Sequence, residues 1–170
     1  MTEKWQQRIK YALYAVLLLV ALLLDTAVFT AINIRVIPTT MPIAVACIGL
    51  WEGAEKGGIY GVIGGCLWAW SAQLTMYGAW VIIAVTITGV GAGLCTQSFL
   101  LQSWKTIFAV STVALLLTDG AYTCFLIMGR AVQPEAFFTV FLPEGILSLC
   151  FVVLFYPVSE YISRIGGFHG

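Results

Sequence analysis

The stretch FFTVFLPEGILSLCFVVLFY, residues 137–156, decides the class of protein to which this chain belongs. It is almost wholly apolar, and an α-helix needs roughly 20 apolar residues to cross a bilayer core of about 30 Å. Two of its residues are out of place in hydrocarbon: Pro143 cannot donate a backbone hydrogen bond, and Glu144 carries a carboxyl group. We therefore predict a membrane span that bends at Pro143, turns Glu144 toward a polar interior and breaks again at Pro157.

The composition of the whole chain is also more apolar than that of a soluble protein. Hydrophobic residues make up 61% of the 170 residues and charged residues only 9%, whereas about a quarter of the residues in an ordinary soluble domain are charged. Eight basic residues balance eight acidic ones. No basic patch interleaved with aromatic residues occurs, which argues against binding to nucleic acid. The apolar composition instead indicates contact with the lipid bilayer.

Further apolar stretches predict an all-α membrane protein with six transmembrane helices in one bundle. The predicted spans are approximately 10–31, 38–51, 57–73, 78–97, 104–129 and 136–160. The second is the weakest, because Pro38 and Pro42 lie at its start and Glu52 at its end, which indicates a short, tilted or partly re-entrant helix. The connections are short, so residues 1–170 are predicted to form a single membrane domain.

The distribution of lysine and arginine predicts the orientation, since cytoplasmic loops collect these residues. With the amino terminus inside, only Arg35 and Arg130 lie outside, and six basic residues lie on the cytoplasmic side: Lys4, Arg8, Lys10, Lys56, Lys105 and Arg164. An even number of spans then places both termini in the cytoplasm.

Two glycine stripes have the spacing of closely packed membrane helices. Such stripes let one backbone approach another where lipid removes the hydrophobic driving force between helices. They consist of Gly57, Gly61 and Gly65, with Gly64 on the same side of the helix, and of Gly89 and Gly93. We predict that they pack the third and fourth spans within the bundle; the alternative is that a helix of a partner docks there.

Three acidic residues, Asp25, Asp119 and Glu144, fall at a similar depth in the outer half of the predicted spans. A charged group near the middle of a bilayer costs on the order of 3 kcal/mol on insertion scales, so such groups face the interior, pair or are protonated. Tyr122 lies near Asp119 along the same helix, and Ser148 lies one turn from Glu144.

We predict that these five side chains form a shared polar pocket inside the membrane, and Arg35 or Arg130 could descend to neutralise one acid. The alternative is that each acid satisfies only a neighbouring hydroxyl or a freed backbone group. In the loop WEGAEKGG, Glu52, Glu55 and Lys56 are predicted to form a solvated cytoplasmic turn or contact surface.

The sequence predicts neither a catalytic site nor a metal or cofactor site. The motifs HExxH, GxSxG with its partners and GxxxxGK[ST] do not occur. The single histidine, His169, is predicted to be a solvated tail group. The cysteines lie singly in apolar runs, as packing residues do, at positions Cys47, Cys66, Cys95, Cys124 and Cys150.

Along nearly its full length the chain resembles the MreD family of rod-shape-determining proteins. The matching features, in order, are LLLDTAVF at the end of the first span, the proline-led segment MPIAVACIGLWEGAEKGGIYGVIGG, the glycine-rich YGAWVIIAVTITGVGAGL, Asp119 where that family usually has glutamate, and the Pro-Glu pair in FLPEGILSLCFVVLFYPV. The Pro-Glu pair is the most specific of these.

The resemblance implies a non-catalytic scaffold in the bacterial inner membrane. Members of the family act with MreC, with the actin-like MreB and with the glycan polymerase and transpeptidase pair that elongates the lateral wall. The loop TQSFLLQSWK is less basic than the family leads us to expect, and the final EYISRIGG carries only Arg164. Both departures put a strongly electrostatic contact with a cytoplasmic filament in doubt.

A rival interpretation comes from a different class. The predicted bundle also resembles the fold of the substrate-binding S components of energy-coupling-factor vitamin transporters, which have six spans, internal termini and an outward-facing polar pocket. Asp25, Asp119 and Glu144 would suit a cationic nutrient in such a pocket. Against this, YALYAVLLLV in the first span lacks the small-xxx-small stripe expected of those proteins.

Overall fold

The computed structural model describes residues 3–28, 38–71, 77–98, 103–128, 133, 135 and 137–165, and all regular structure in these residues is helical. The α-helices are α1 (Glu3–Leu23), α2 (Met41–Glu52), α3 (Ala54–Ser71), α4 (Gly78–Ser98), α5 (Trp104–Leu115), α6 (Ala121–Met128), α7 (Leu142–Cys150) and α8 (Val152–Ile165). Three π-helical turns accompany them: Leu24–Val28 after α1, Leu116–Gly120 between α5 and α6, and Phe137–Phe141 before α7.

Four helical segments are long and apolar enough to cross a membrane. They are Trp5–Ala27, Gly78–Thr96, Trp104–Met128 and Phe137–Ile165. Each coincides with one of the six predicted spans, and the chain has the apolar helices of a multi-pass membrane protein. The other two predicted spans correspond to α2 and α3, of which α2 is a shorter apolar helix of 12 residues.

Helix α2 is the centre of the structure. All ten residues from 41 to 50 are buried, and α2 packs against α1, α3, α4, α5 and α8. A helix that is apolar around its whole circumference has no polar face to turn outward, so it is stable when other helices surround it. The weakest of the predicted spans is therefore the core element, which we call the central helix.

Helices α3 and α4 pack so closely that glycine is required at the contact. A Cβ atom added to Gly61 would lie 2.7 Å from the Cα of Thr86, and one added to Gly65 would lie 2.8 Å from the Cα of Ile82. The backbones of Gly57 and Gly89 also approach each other directly. The glycine stripes thus lie between helices of this chain.

Two further glycines bring the central helix into the same unit. Gly53 alone separates α2 from α3, and its φ of 88° is in the left-handed region that glycine adopts without strain. Gly93 of α4 lies against the backbone of Gly53 and Ala54. The chain can therefore reverse in one residue, with α4 packed across the turn.

The last span is interrupted at a different place from the one predicted from Pro157. Pro143 lies in the first turn of α7, but the helix is continuous with the π-helical turn Phe137–Phe141 before it, so the missing N–H of Pro143 leaves a carbonyl oxygen of that turn without its helical donor. The α-helix is interrupted at Phe151, whose N–H donates to the carbonyl oxygen of Ser148 at 2.9 Å. Pro157 lies inside α8, six residues further on.

A polar cluster at the beginning of the central helix

Each of the three membrane acids lies in or just after a π-helical turn. Asp25 belongs to the turn Leu24–Val28, Asp119 belongs to Leu116–Gly120, and Glu144 follows Phe137–Phe141. A π-helical turn inserts a residue into the helix and redirects the side chains around it, and such turns are frequent at functional sites. In this chain the three redirected acids meet around residues 39–41. We call Asp25, Thr39, Thr40, Asp119, Glu144 and Ser148 the polar cluster.

Asp25 caps the central helix from a different helix. Its Oδ1 accepts hydrogen bonds from the main-chain nitrogen of Thr40 at 2.8 Å and from the Thr40 hydroxyl at 2.7 Å, and its Oδ2 accepts one from the nitrogen of Met41 at 3.0 Å. Thr40 occupies the N-cap position, but its own side chain makes no capping bond. A carboxylate in this place satisfies free N–H groups and interacts favourably with the positive end of the helix dipole.

Ser148 and Glu144 both form hydrogen bonds with Thr39, the residue before the N-cap residue Thr40. The main-chain nitrogen of Thr39 donates to Ser148 Oγ at 2.8 Å, and the Ser148 hydroxyl donates to the carbonyl oxygen of Glu144 at 2.7 Å. The Thr39 hydroxyl donates to Glu144 Oε1 over a longer distance of 3.4 Å. Helix α7 is thereby attached to the same end of the central helix as α1.

Asp119 is the least satisfied member of the polar cluster. Its carboxyl group lies near that of Glu144 and near the Thr39 side chain, but the Thr39 hydroxyl donates to Glu144 and the Thr39 nitrogen donates to Ser148. Its Oδ2 atom is buried, and no hydrogen-bond partner for it is found in the described part of the chain. Thr118 does not supply one, since its hydroxyl donates to the carbonyl oxygen of Ala114 at 2.9 Å.

Four of the five residues predicted to share a pocket are therefore brought together: Asp25, Asp119, Glu144 and Ser148. The ring of Tyr122 instead packs edge-on against that of Tyr77, with 5.4 Å between ring centroids. Arg35 and Arg130 lie outside the described residues.

Thr39 and Thr40 were not predicted as site residues. The sequence did contain a signal for them, because hydroxyl residues followed by proline, as in TTMP, are typical of a helix N-terminus.

A second charged group, Glu52, lies at the opposite end of the central helix, and for this residue the prediction of a solvated turn was wrong. The Glu52 side chain is only 2% exposed, and its carboxylate lies 2.5 Å from Lys10 Nζ and 2.9 Å from Lys56 Nζ. Tyr14 also donates a hydrogen bond to it at 2.9 Å. The reason is that α1 runs beside the end of α2. The neighbouring Glu55 is exposed, as predicted.

Two grooves between described helices lie away from the polar cluster. One of about 280 Å³ lies between α4 and α5 and is lined mainly by small apolar side chains, among them Gly91 and Ala109. Another of about 350 Å³ lies between α1 and α3, beside Tyr11 and Tyr60. Among the described residues, no three His, Cys, Asp or Glu side chains are grouped so that they could hold a metal ion.

Comparison with family models, curated proteins and solved structures finds no match to this chain.

Proposed function

We propose that this chain is a non-catalytic integral membrane scaffold of the bacterial cell-elongation machinery. It lies in the inner membrane with both termini in the cytoplasm and helps to maintain rod shape and lateral peptidoglycan synthesis. It does so by binding an MreC-like coiled-coil membrane protein, and its further partners are the actin-like MreB and the glycan polymerase and transpeptidase pair. In this proposal α2 and α3 complete a bundle of six spans similar to the S-component fold.

The observation that best supports a scaffold is that the polar side chains around residues 39–41 form hydrogen bonds between helices of this chain. Asp25 from the first span and Ser148 from the last both bind the main chain at the start of the central helix. A partly buried carboxylate that accepts hydrogen bonds on both of its oxygens strengthens the attachment between helices. Polar groups used in this way fix the relative positions of three helices, which is what a rigid docking surface requires.

The same observation weighs against the rival vitamin-transporter interpretation. In a substrate-binding subunit, the polar side chains would line an open cavity from which the nutrient is released. Asp25 is instead occupied by backbone N–H groups of residues 40 and 41.

The position of the Pro-Glu pair also supports the proposal. Pro143 and Glu144 are the most specific feature of the resemblance to the MreD family, and they lie in the first turn of α7, beside the cap of the central helix. A substitution there would alter how α7 is held, and with it the outer surface of the last span.

The proposal is tested by depleting the protein from the bacterium that encodes it. We expect the cells to lose rod shape and become round, and a wild-type copy supplied in trans to restore the rods. In parallel, affinity purification of the tagged protein should yield a stable complex with a membrane-anchored coiled-coil protein encoded nearby. Rod-shaped cells after full depletion, or a purified protein that carries a vitamin at one molecule per chain, would contradict it.

A further inference from the structure

The groove between α1 and α3 combines charged, aromatic and apolar side chains. Its volume is about 350 Å³, and its lining residues are Tyr11 of α1 and Glu55, Lys56, Ile59, Tyr60 and Ile63 of α3. An α-helix rises about 12 Å over the eight steps from residue 55 to residue 63. Over that distance the α3 wall of the groove changes from charged to apolar.

The charged end of the groove carries a positive charge that the buried ion pairs leave unbalanced. Lys10 and Lys56 both contact the single carboxylate of Glu52, so two ammonium groups share one negative charge. The Lys56 side chain is 39% exposed, against 13% for Lys10. The Lys56 ammonium lies 5.2 Å from the centre of the Tyr11 ring, which forms the opposite wall. Lys56 therefore presents the unbalanced charge to the groove.

Glu55 places a negative charge at the same end. Its side chain is exposed and lines the groove, and no ion pair joins it to another described residue. Adjacent residues of a helix do not face each other, so Glu55 and Lys56 do not neutralise one another directly. Both remain available to a ligand. The charges are complementary to a ligand that carries an anionic group and a cationic group close together.

The other end of the groove is apolar and open at the outside of the bundle. Ile59 and Ile63 are 54% and 45% exposed, and their spacing of four places them on one face of α3. Between the two ends, the Tyr60 hydroxyl donates to the main-chain oxygen of Tyr11 at 3.3 Å. Tyrosine is enriched at the membrane–water interface. The order of charged, aromatic and apolar side chains thus follows that of phosphate, ester and acyl chain in a phospholipid.

We propose that this groove binds one phospholipid with a primary amine in its headgroup, of the phosphatidylethanolamine class, in the leaflet on the amino-terminal side of the membrane. Lys56 binds the phosphate, Glu55 accepts a hydrogen bond from the ammonium group, and an acyl chain lies along Ile59 and Ile63. A choline headgroup has no N–H to donate, and a glycerol headgroup has no positive charge, so both bind more weakly. The site does not depend on the proposed scaffold function.

The lipid site is tested on the full-length chain purified in detergent and freed of lipid. The thermal unfolding temperature is measured while phosphatidylethanolamine, phosphatidylcholine or phosphatidylglycerol with the same acyl chains is titrated into the micelles. We expect a saturable rise that is half complete at a lower mole fraction of phosphatidylethanolamine than of the other two lipids. An equal or stronger response to phosphatidylcholine or phosphatidylglycerol would overturn the proposal.

A soluble headgroup distinguishes a lipid from a free ligand of the same chemistry. Phosphoethanolamine carries both charges but no acyl chain, so it lacks the apolar contact with Ile59 and Ile63. Added without lipid, it should give no rise in the unfolding temperature. A saturable rise with phosphoethanolamine as large as that with the lipid would overturn the assignment to a membrane lipid.

Variants assign the response to the groove. Glu55→Gln should remove the preference for phosphatidylethanolamine over phosphatidylcholine, a change of roughly two- to fivefold, the range for an exposed charged pair. Lys56→Gln should weaken the binding of both lipids by roughly fivefold or more, because it removes the cation that faces the phosphate. Lys105→Gln is the matched control, since it removes an exposed lysine at the start of α5 and should change neither response.

The decision rests on Glu55→Gln, because Glu55 is exposed and has no ion pair in the described part of the chain, whereas Lys56→Gln also loses the contact with Glu52. An unchanged preference for phosphatidylethanolamine in the Glu55→Gln variant would exclude the amine contact. An equal loss of binding in the Lys105→Gln variant would show a general effect of charge and would exclude the groove as the site.

Discussion

The carboxylate of Asp25 lies 2.8 Å from the main-chain nitrogen of Thr40, so the first helix caps a helix that begins 16 residues later in the chain. A cap of this kind usually comes from the residue at the N-cap position itself. Here it ties two helices together, and it makes the beginning of the central helix depend on a residue of the first span.

Asp25→Ala should therefore destabilise the protein. The substitution removes three hydrogen bonds to a carboxylate, and we expect the free energy of unfolding to fall by roughly 2 kcal/mol, the upper end for a lost cap. Asp25→Asn should cost less, because its amide oxygen can still accept. Unfolding in detergent, followed by tryptophan fluorescence, measures both. Thr26→Ala is the matched control, and a stable alanine variant at position 25 would rule out the capping role.

Gly61→Ala should weaken the packing of α3 against α4. The added methyl group would meet the Cα of Thr86 at 2.7 Å and the carbonyl oxygen of Val85 at 3.0 Å, and both are backbone atoms that move only with their helix. Overpacking of this kind costs roughly 1–3 kcal/mol. The expected result is a lower thermal unfolding temperature.

Gly91→Ala provides the matched control for this prediction. It makes the same change in α4, but no atom lies within 4 Å of the added Cβ. Alanine also favours a helix interior over glycine by roughly 1 kcal/mol, so this variant should be as stable as the wild type or more so. Equal destabilisation of both variants would show that the close contact at Gly61 is not the cause.

Glu52→Gln should destabilise the opposite end of the central helix. It leaves the partly buried Lys10 ammonium without its counter-charge and weakens the contact to the more exposed Lys56. Breaking one side of a buried ion pair costs on the order of 3 kcal/mol. Glu55→Gln, three residues further along and exposed, should change the free energy of unfolding by less than about 0.5 kcal/mol. Equal stability of the two variants would mean that the Glu52 pairing contributes little.

Glu144→Ala should weaken assembly with the partner or round the cells, even when the protein reaches the membrane in normal amount. The reason is that the Thr39 hydroxyl loses its acceptor in α7, which weakens the contact between α7 and the start of the central helix. Glu144→Gln should be milder, because its amide oxygen still accepts. Cell shape and co-purification are measured with each variant as the sole copy, alongside Glu135→Ala, which removes an exposed acid near the same span. Full rod shape in the Glu144→Ala strain would remove this residue from the proposed function.

The sequence predicted the positions of the helices better than their arrangement. Apolar runs between glycine and proline residues gave spans that agree with the helices to within several residues. They could not identify the central helix, because in a membrane both the lipid-facing and the buried surfaces are apolar. Ile48 is fully buried while Ile146 is 59% exposed, and nothing in their local sequence distinguishes them.

The polar contacts were predictable only in part. The depth of Asp25, Asp119 and Glu144 along their spans was enough to predict that they lie together. Their partners were not predictable, since Ser148 reaches Thr39 across 109 residues of sequence. In the same way, the sequence WEGAEKGG predicts a polar turn, because it does not show that α1 places Lys10 beside Glu52.

The shortness of the central helix has an electrical consequence. Its 12 residues span about 18 Å, and ionisable side chains border both of its ends. This length is shorter than the bilayer core of about 30 Å. If the chain crosses the membrane as proposed, at least one end of the central helix lies inside the hydrocarbon layer, so part of the membrane voltage acts on the ionisable groups there.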